Sequence, residues 1–282
     1  FIKEMVKRVS KDFVVMENEY GEVGVDKALL EDEKEINIWE LTEGCICCTM
    51  KSDFASSILT IANTLDPEYL VVEPTGVGSL SNVVQNIKQI AYERISLLSP
   101  VTILDANCYS RYMREYGDIF DDQLAAAGKI LISKGDFAAE GGLEELARRI
   151  KKRHPKAEVL TRHYTAMEPD WWESLLHTDL EGNRIRTEAI EEAELESLGL
   201  KEISLPGANH LIDFLERLIR GEFGRICRAK GFVDVGNSWL RFDVVDDRYS
   251  VCGFAEAERG KSVFIGNQIE RNKLRKLLTK NS

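Results

Sequence analysis

Gly44-Cys45-Ile46-Cys47-Cys48 places three of the chain's six cysteines within four residues. Thiolates this close together can converge on one soft or borderline metal ion, and Zn²⁺ or Cu⁺ suits such donors. Chance clustering explains the run poorly, because buried structural cysteines usually occur singly. The segment offers at most three sulfurs, so further ligands come from elsewhere or from water, as suits a site that exchanges its ion. Glu17, Glu19 and Glu22 follow the apolar run Phe13–Met16. Glu17 and Glu22 can approach Cys45, Cys47 and Cys48 if strand ends share one crevice. A solvated acidic loop explains the same glutamates equally well. His154, His163, His177 and His210 have no paired spacing and read as ordinary histidines.

Two further motifs stand at strand ends. Glu73-Pro74-Thr75-Gly76 directly follows the apolar run Tyr69–Val72. An acid there can position Mg²⁺ or an attacking water, and Gly76 lets a backbone N–H face a γ-phosphate. Ser133-Lys134-Gly135-Asp136 follows the run Lys129–Ile132. Asp136 can accept two hydrogen bonds from the N1 and N2 donors of guanine while the Lys134 stem covers the purine ring. Adenine lacks that donor pair.

A phosphate loop of the form Gly-x-x-x-x-Gly-Lys-Ser/Thr should complete such a site. The only Gly-Lys-Ser is Gly260-Lys261-Ser262, and six residues separate it from Gly253. Val263-Phe264-Ile265 follows, so this reads as a turn into a strand. The chain begins with Phe1 rather than Met, and Phe1, Ile2, Met5, Val6 and Val9 already share a helical face. The expectation is that a strand and phosphate loop precede Phe1.

The elements that must carry these residues follow from periodicity. Short apolar runs at Phe13–Met16, Ile36–Leu41, Tyr69–Val72, Val101–Leu104, Lys129–Ile132 and Val159–Leu160 read as strands, several fit for burial on both faces. Helical stripes lie between them, including Phe54, Ile58, Ile61, Ala62 and Leu65 behind a Ser52 cap, and Gly142 to Lys152. Alternation of this kind predicts an α/β fold with a mostly parallel sheet covered on both faces. Residues 166–200, with Trp171-Trp172 and the acidic run Glu188–Glu196, read as a linker with some helix.

From residue 201 the pattern changes. A strand at Ile203–Leu205, a helix from Asn209 to Arg220, strands at 226–235, 240–245, 249–252 and 263–265, and a basic helix at 269–278 predict a smaller α+β domain. Cys108, Cys227 and Cys252 read as packing residues, with pairing of Cys227 and Cys252 open if their strands are adjacent.

The chain has 282 residues with 44% apolar content, enough for two cores, and a net charge of −11. An acidic chain repels phosphate backbones, which argues against nucleic acid as a partner. No apolar run approaches a membrane span.

These motifs, in this order, resemble the CobW-type family of P-loop GTPases, relatives of the nickel-insertion GTPases for urease and hydrogenase. Glu17-Asn18-Glu19-Tyr20-Gly21-Glu22-Val23-Gly24-Val25-Asp26 resembles the family's first switch segment. Cys45-Ile46-Cys47-Cys48 resembles its Cys-x-Cys-Cys hallmark, and Val71-Val72-Glu73-Pro74-Thr75-Gly76 its Walker B with Glu-x-x-Gly. Ser133-Lys134-Gly135-Asp136 resembles its guanine motif. Arg228-Ala229-Lys230-Gly231-Phe232 and Val263-Phe264-Ile265-Gly266 resemble signatures of its C-terminal domain.

The resemblance implies a Rossmann-like GTPase domain over 1–165, a linker over 166–200 and a CobW-type α+β domain over 201–282. It implies GTP, Mg²⁺ and Zn²⁺ or Co²⁺ as ligands, with Glu73, Gly76 and Asp26 acting on the γ-phosphate and its metal. Ser133, Lys134 and Asp136 would bind guanine, and Cys45, Cys47, Cys48, Glu17 and Glu22 the transferred metal. A cytoplasmic location and a client metalloprotein or cofactor-pathway partner follow, with homo-oligomerisation left open. A non-hydrolysing metal-binding interaction module is the competing reading. A thiol redox protein ranks last, because adjacent Cys47-Cys48 is poorly spaced for exchange.

Overall fold

The computed structural model describes residues 1–18, 37–41, 51–74, 76, 78–91, 95–135, 142–180, 183–187, 195–236, 238–254 and 260–279. The chain divides into two compact units, Phe1–Val15 with Ile46–Ala193 and Met16–Cys45 with Glu194–Ser282. No helix among the described residues is long and apolar enough to cross a membrane.

Helix α1 (Ile2–Arg8) leads into β1 (Phe13–Asn18), the middle strand of a three-stranded sheet in the order β2-β1-β3. The central position explains why Phe13, Val14, Val15 and Met16 form a continuous buried run. Strand β2 is Asn37–Leu41 and β3 is Tyr69–Glu73. Helix α2 (Lys51–Thr64) joins them in sequence and buries Phe54, Ile58 and Ile61, the stripe expected at helical spacing. It begins at Lys51, so Ser52 lies inside its first turn rather than capping it. Ser is tolerated there because first-turn N–H groups lie outside the intrahelical ladder.

A second sheet contains β4 (Val101–Asp105), β5 (Lys129–Ser133) and β6 (Glu158–Leu160), all parallel and in sequence order. Helix α3 (Leu80–Lys88) precedes β4, while α4 (Tyr109–Glu115) and α5 (Gly117–Ala126) connect β4 to β5. Helix α6 (Gly142–Arg153) returns the chain to β6. Leu104, Phe120, Leu124, Ile130, Ile132 and Ile150 form the core of this half. Strand β5, in the middle, is buried as expected. Strands β3 and β4 are less buried than β5: Tyr69 to Val72 of β3 are half-buried, Glu73 is exposed, and Ile103 is 46% exposed. Among the described residues, each is an outer strand in the order of its three-stranded sheet. Trp171 and Trp172 lie in α7 (Pro169–Leu175), where Trp172 is fully buried in a cluster with Met5, Val9 and Phe13.

The second unit is built on a five-stranded antiparallel sheet in the order β10-β9-β8-β11-β7. Its strands are β7 (Glu196–Lys201), β8 (Arg225–Asp234), β9 (Trp239–Val245), β10 (Arg248–Phe254) and β11 (Lys261–Asn267). Helices α8 (Ala208–Ile219) and α9 (Arg271–Leu278) contribute Leu211, Phe214, Leu215, Leu218, Leu274 and Leu278 to its core. The expected strand at Ile203–Leu205 reduces to isolated bridges. The strand is β7 instead, whose Leu198 and Leu200 alternate inward.

Gly260-Lys261-Ser262 is indeed a turn into β11. Gly260 sits so close to Ile203 that a Cβ would meet its carbonyl oxygen at 2.0 Å. Strand β9 separates β8 from β10, so Cys227 and Cys252 are not on adjacent strands and are not joined in a disulfide. Cys252 is exposed rather than a packing residue, because its side of β10, an edge strand, faces outward.

Candidate functional site

Parallel pairing places Asp105, the last residue of β4, in register with Ser133, the last residue of β5. The guanine-type motif therefore opens beside an aspartate. Lys134 follows with φ +56°, a left-handed conformation that turns the chain sharply off the strand. Its Nζ lies 3.1 Å from Asp105 Oδ2. Asn107 Nδ2 donates to the Lys134 carbonyl at 3.2 Å. The Asn107 backbone N–H donates to Asp105 Oδ1 at 2.9 Å and its Nδ2 to the same oxygen at 3.1 Å. Lys134 is thus held at both its ammonium and its carbonyl. Gly135 packs tightly next to it: a Cβ there would meet Leu143 Cδ1 at 2.6 Å.

The brace sets the protonation of Asp105. Partial burial alone would raise its carboxyl, but hydrogen bonds from Asn107 and Lys134, with the lysine charge, hold it below the ordinary carboxylate range.

Glu73 ends β3 and is exposed, as is Gly76 on the loop that follows. A Cβ at Gly76 would meet no described atom within 4 Å, so packing does not demand glycine there. The same loop is gripped from α5. Gln123 Nε2 donates to the Gly76 carbonyl at 3.0 Å and to the Gly78 carbonyl at 2.8 Å. Thr102 Oγ1 of β4 donates to the Gln123 carbonyl at 2.8 Å.

One residue earlier, the fully buried Asp122 receives Ser79 Oγ at 2.8 Å, the Ser81 N–H at 3.0 Å and Ser81 Oγ. Ser79 is also the N-cap of α3, accepting from the Asn82 N–H at 3.1 Å. The loop carrying Gly76 therefore runs between β3 and a helix start locked to α5.

The structure keeps Ser133 and Lys134 with Asp105 and Asn107, and ties Gly76 to Gln123. Glu17 lies in β1. Cys45, Cys47, Cys48, Glu22, Asp26 and Asp136 lie outside the described residues, as does Glu19. Asp105, Asn107, Asp122 and Gln123 were not legible as site residues. Asp105 carried the same strand-end signal as Glu73. Asp122 and Gln123 carried only polarity on a helix that also buries Phe120 and Leu124.

The parallel strands β4, β5 and β6 with their connecting helices, followed by an antiparallel sheet unit, give an α/β protein with a P-loop GTPase-type fold and a C-terminal antiparallel-sheet domain. The chain belongs to the CobW/HypB/UreG family: residues 1–161 match the family's nucleotide-binding domain, and residues 206–281 match the cobalamin synthesis protein cobW C-terminal domain. It is similar to the zinc chaperone YjiA of Escherichia coli (27% identical over 285 residues, 93% of this chain and 87% of the relative). The zinc chaperone YeiR of the same organism is 33% identical over 131 residues, 46% of this chain and 40% of the relative. The crystal structure of Zn(II)-bound YjiA GTPase from E. coli aligns with TM-score 0.43 and 20% identity, covering 98% of this chain and 93% of that one.

Proposed function

We propose that the protein is a GTP-hydrolysing metal-handling protein that couples its nucleotide state to the binding of zinc, or of cobalt, for a client metalloprotein in the cytoplasm. The observation that carries this reading is the braced Lys134. Its ammonium and carbonyl are fixed by Asp105 and Asn107 at the end of a buried parallel strand, where a purine ring would be covered. In sequence, Cys45-Ile46-Cys47-Cys48 lies between the first switch segment and Glu73-Pro74-Thr75-Gly76. Movement of either flanking element would alter the spacing of the thiolates and hence the affinity for the cargo ion. The zinc-chaperone relatives support zinc as that cargo.

In this reading Asp136 and Lys134 recognise guanine, with Ser133 aligning the motif. Gly76 offers its amide to the γ-phosphate, and Glu73 orients the attacking water. Mg²⁺ supplies charge neutralisation on the phosphates when bound, and the exposed Glu73 carboxylate at the strand end, with Asp26, would hold it. Cys45, Cys47 and Cys48 hold the cargo ion, with Glu17 and Glu22 as the carboxylate donors.

Zinc titration of the full-length protein against its Cys47→Ala variant tests the metal assignment. The variant is expected to lose its tight zinc site, by about tenfold or more in affinity. Full retention of stoichiometry and affinity would remove the cysteines from the site.

A further inference from the structure

Among the described residues, the loop after Glu73 is held at both ends and gripped between them. Its upstream end is β3. Its downstream end is Ser79, whose hydroxyl caps α3 and donates to the buried Asp122. Between these, a single amide on α5 holds two carbonyls of the loop, Gly76 and Gly78. Both hydrogens of one amide nitrogen are used, so the Gly76 and Gly78 carbonyls are referred to the same side chain. The backbone of Gln123 is itself tied to β4 through Thr102. Strand β4 ends in Asp105, the residue that braces Lys134. Gln123 therefore stands in a bonded path that reaches the loop carrying Gly76 on one side and, along β4, the guanine-type motif on the other.

We propose that Gln123 is a positioning residue that presets the Gly76 loop for a γ-phosphate, and so determines how strongly the protein prefers GTP over GDP. This rests on the nucleotide reading above. The physical basis is preorganisation. A glycine loop whose conformation is already restricted loses less entropy when its amide meets a ligand. Only a nucleotide that has a γ-phosphate collects that benefit. GDP does not reach the Gly76 amide in this scheme, so its affinity is independent of the grip. Neighbouring Asp122 plays a different part: it is fully buried and locks the helix start, so its loss acts on stability.

The test compares the full-length wild type with Gln123→Ala and Gln123→Glu, measuring affinity for GDP and for a non-hydrolysable GTP analogue by calorimetry. Gln123→Ala removes both donors, and Gln123→Glu replaces them with oxygens that repel the two carbonyls. Both variants are expected to keep GDP affinity within about twofold. Analogue affinity should fall about fivefold to tenfold, the equivalent of about one to two ordinary hydrogen bonds. Amide exchange across the loop should quicken in both variants without nucleotide, with the melting temperature little changed. Equal losses for GDP and analogue, or no change in their ratio, would overturn the role of Gln123 while leaving the GTPase reading intact. Failure of the wild type to bind either nucleotide would overturn both.

Discussion

Removing the carboxylate of Asp122 should destabilise the first unit without touching nucleotide chemistry directly. The side chain is fully buried and accepts from three donors, Ser79 Oγ, the Ser81 N–H and Ser81 Oγ. Both serines are themselves fully buried. In Asp122→Ala these three donors lose their acceptor in a place water reaches poorly. The serine oxygens retain their other roles: Ser79 Oγ still accepts from Asn82, and Ser81 Oγ from the Arg186 N–H at 3.0 Å. Each stranded donor then falls in the lower half of the usual penalty, about 1–1.5 kcal/mol, giving about 3–5 kcal/mol in total. For a unit of this size that lowers the melting temperature by about 10 °C.

Circular dichroism melts and urea titrations of wild type and variant measure it. Asp118→Ala is the control, because Asp118 is exposed on the same helix and should cost under about 1 kcal/mol. A shift for Asp122→Ala no larger than the control's would refute the role of the buried carboxylate as the anchor of α3.

Asp105→Ala should weaken GDP binding by about tenfold in the full-length protein, since Lys134 and Asn107 both lose their partner; calorimetry would read it. His154 is 7% exposed, and burial pushes its imidazole below its ordinary value of 6.5, with Arg153 adding to the push and Asp121 opposing it. The unfolded chain takes up that proton first as pH falls, so stability is full above the ordinary value and declines below it, down through the folded pKa. Urea unfolding of wild type should therefore weaken as pH falls through and below about 6.5, with a smaller decline in His154→Gln. Gly231→Ala would drive a Cβ to 2.6 Å from Phe242 Cε1 and 2.8 Å from the Lys261 carbonyl oxygen. It should cost about 1–3 kcal/mol, visible in a thermal melt.

What the sequence revealed depended on range. Apolar runs of four or five residues located β1, β3, β4 and β5, because burial in a sheet needs only local hydrophobicity. The chemical residues at their ends were legible for the same reason. Strand β7 was missed because Glu196 and Gly199 interrupt its pattern, and its partner residues in β11 lie sixty to seventy residues away in sequence. Gln123 and Asp105 took their significance from contacts 45 and 29 residues away, with Gly78 and Lys134 respectively. Only folding brings those pairs together. Asp122 looked like one more charge on an acidic chain until its serine partners showed it to be interior.

Zinc affinity of the full-length protein, measured by competition with a chromophoric chelator in saturating GTP analogue and again in saturating GDP, addresses the central claim. Coupling between the nucleotide loops and Cys45, Cys47 and Cys48 predicts affinities that differ by about tenfold, and a difference that disappears in Cys47→Ala. Equal zinc affinities in the two nucleotide states would contradict it.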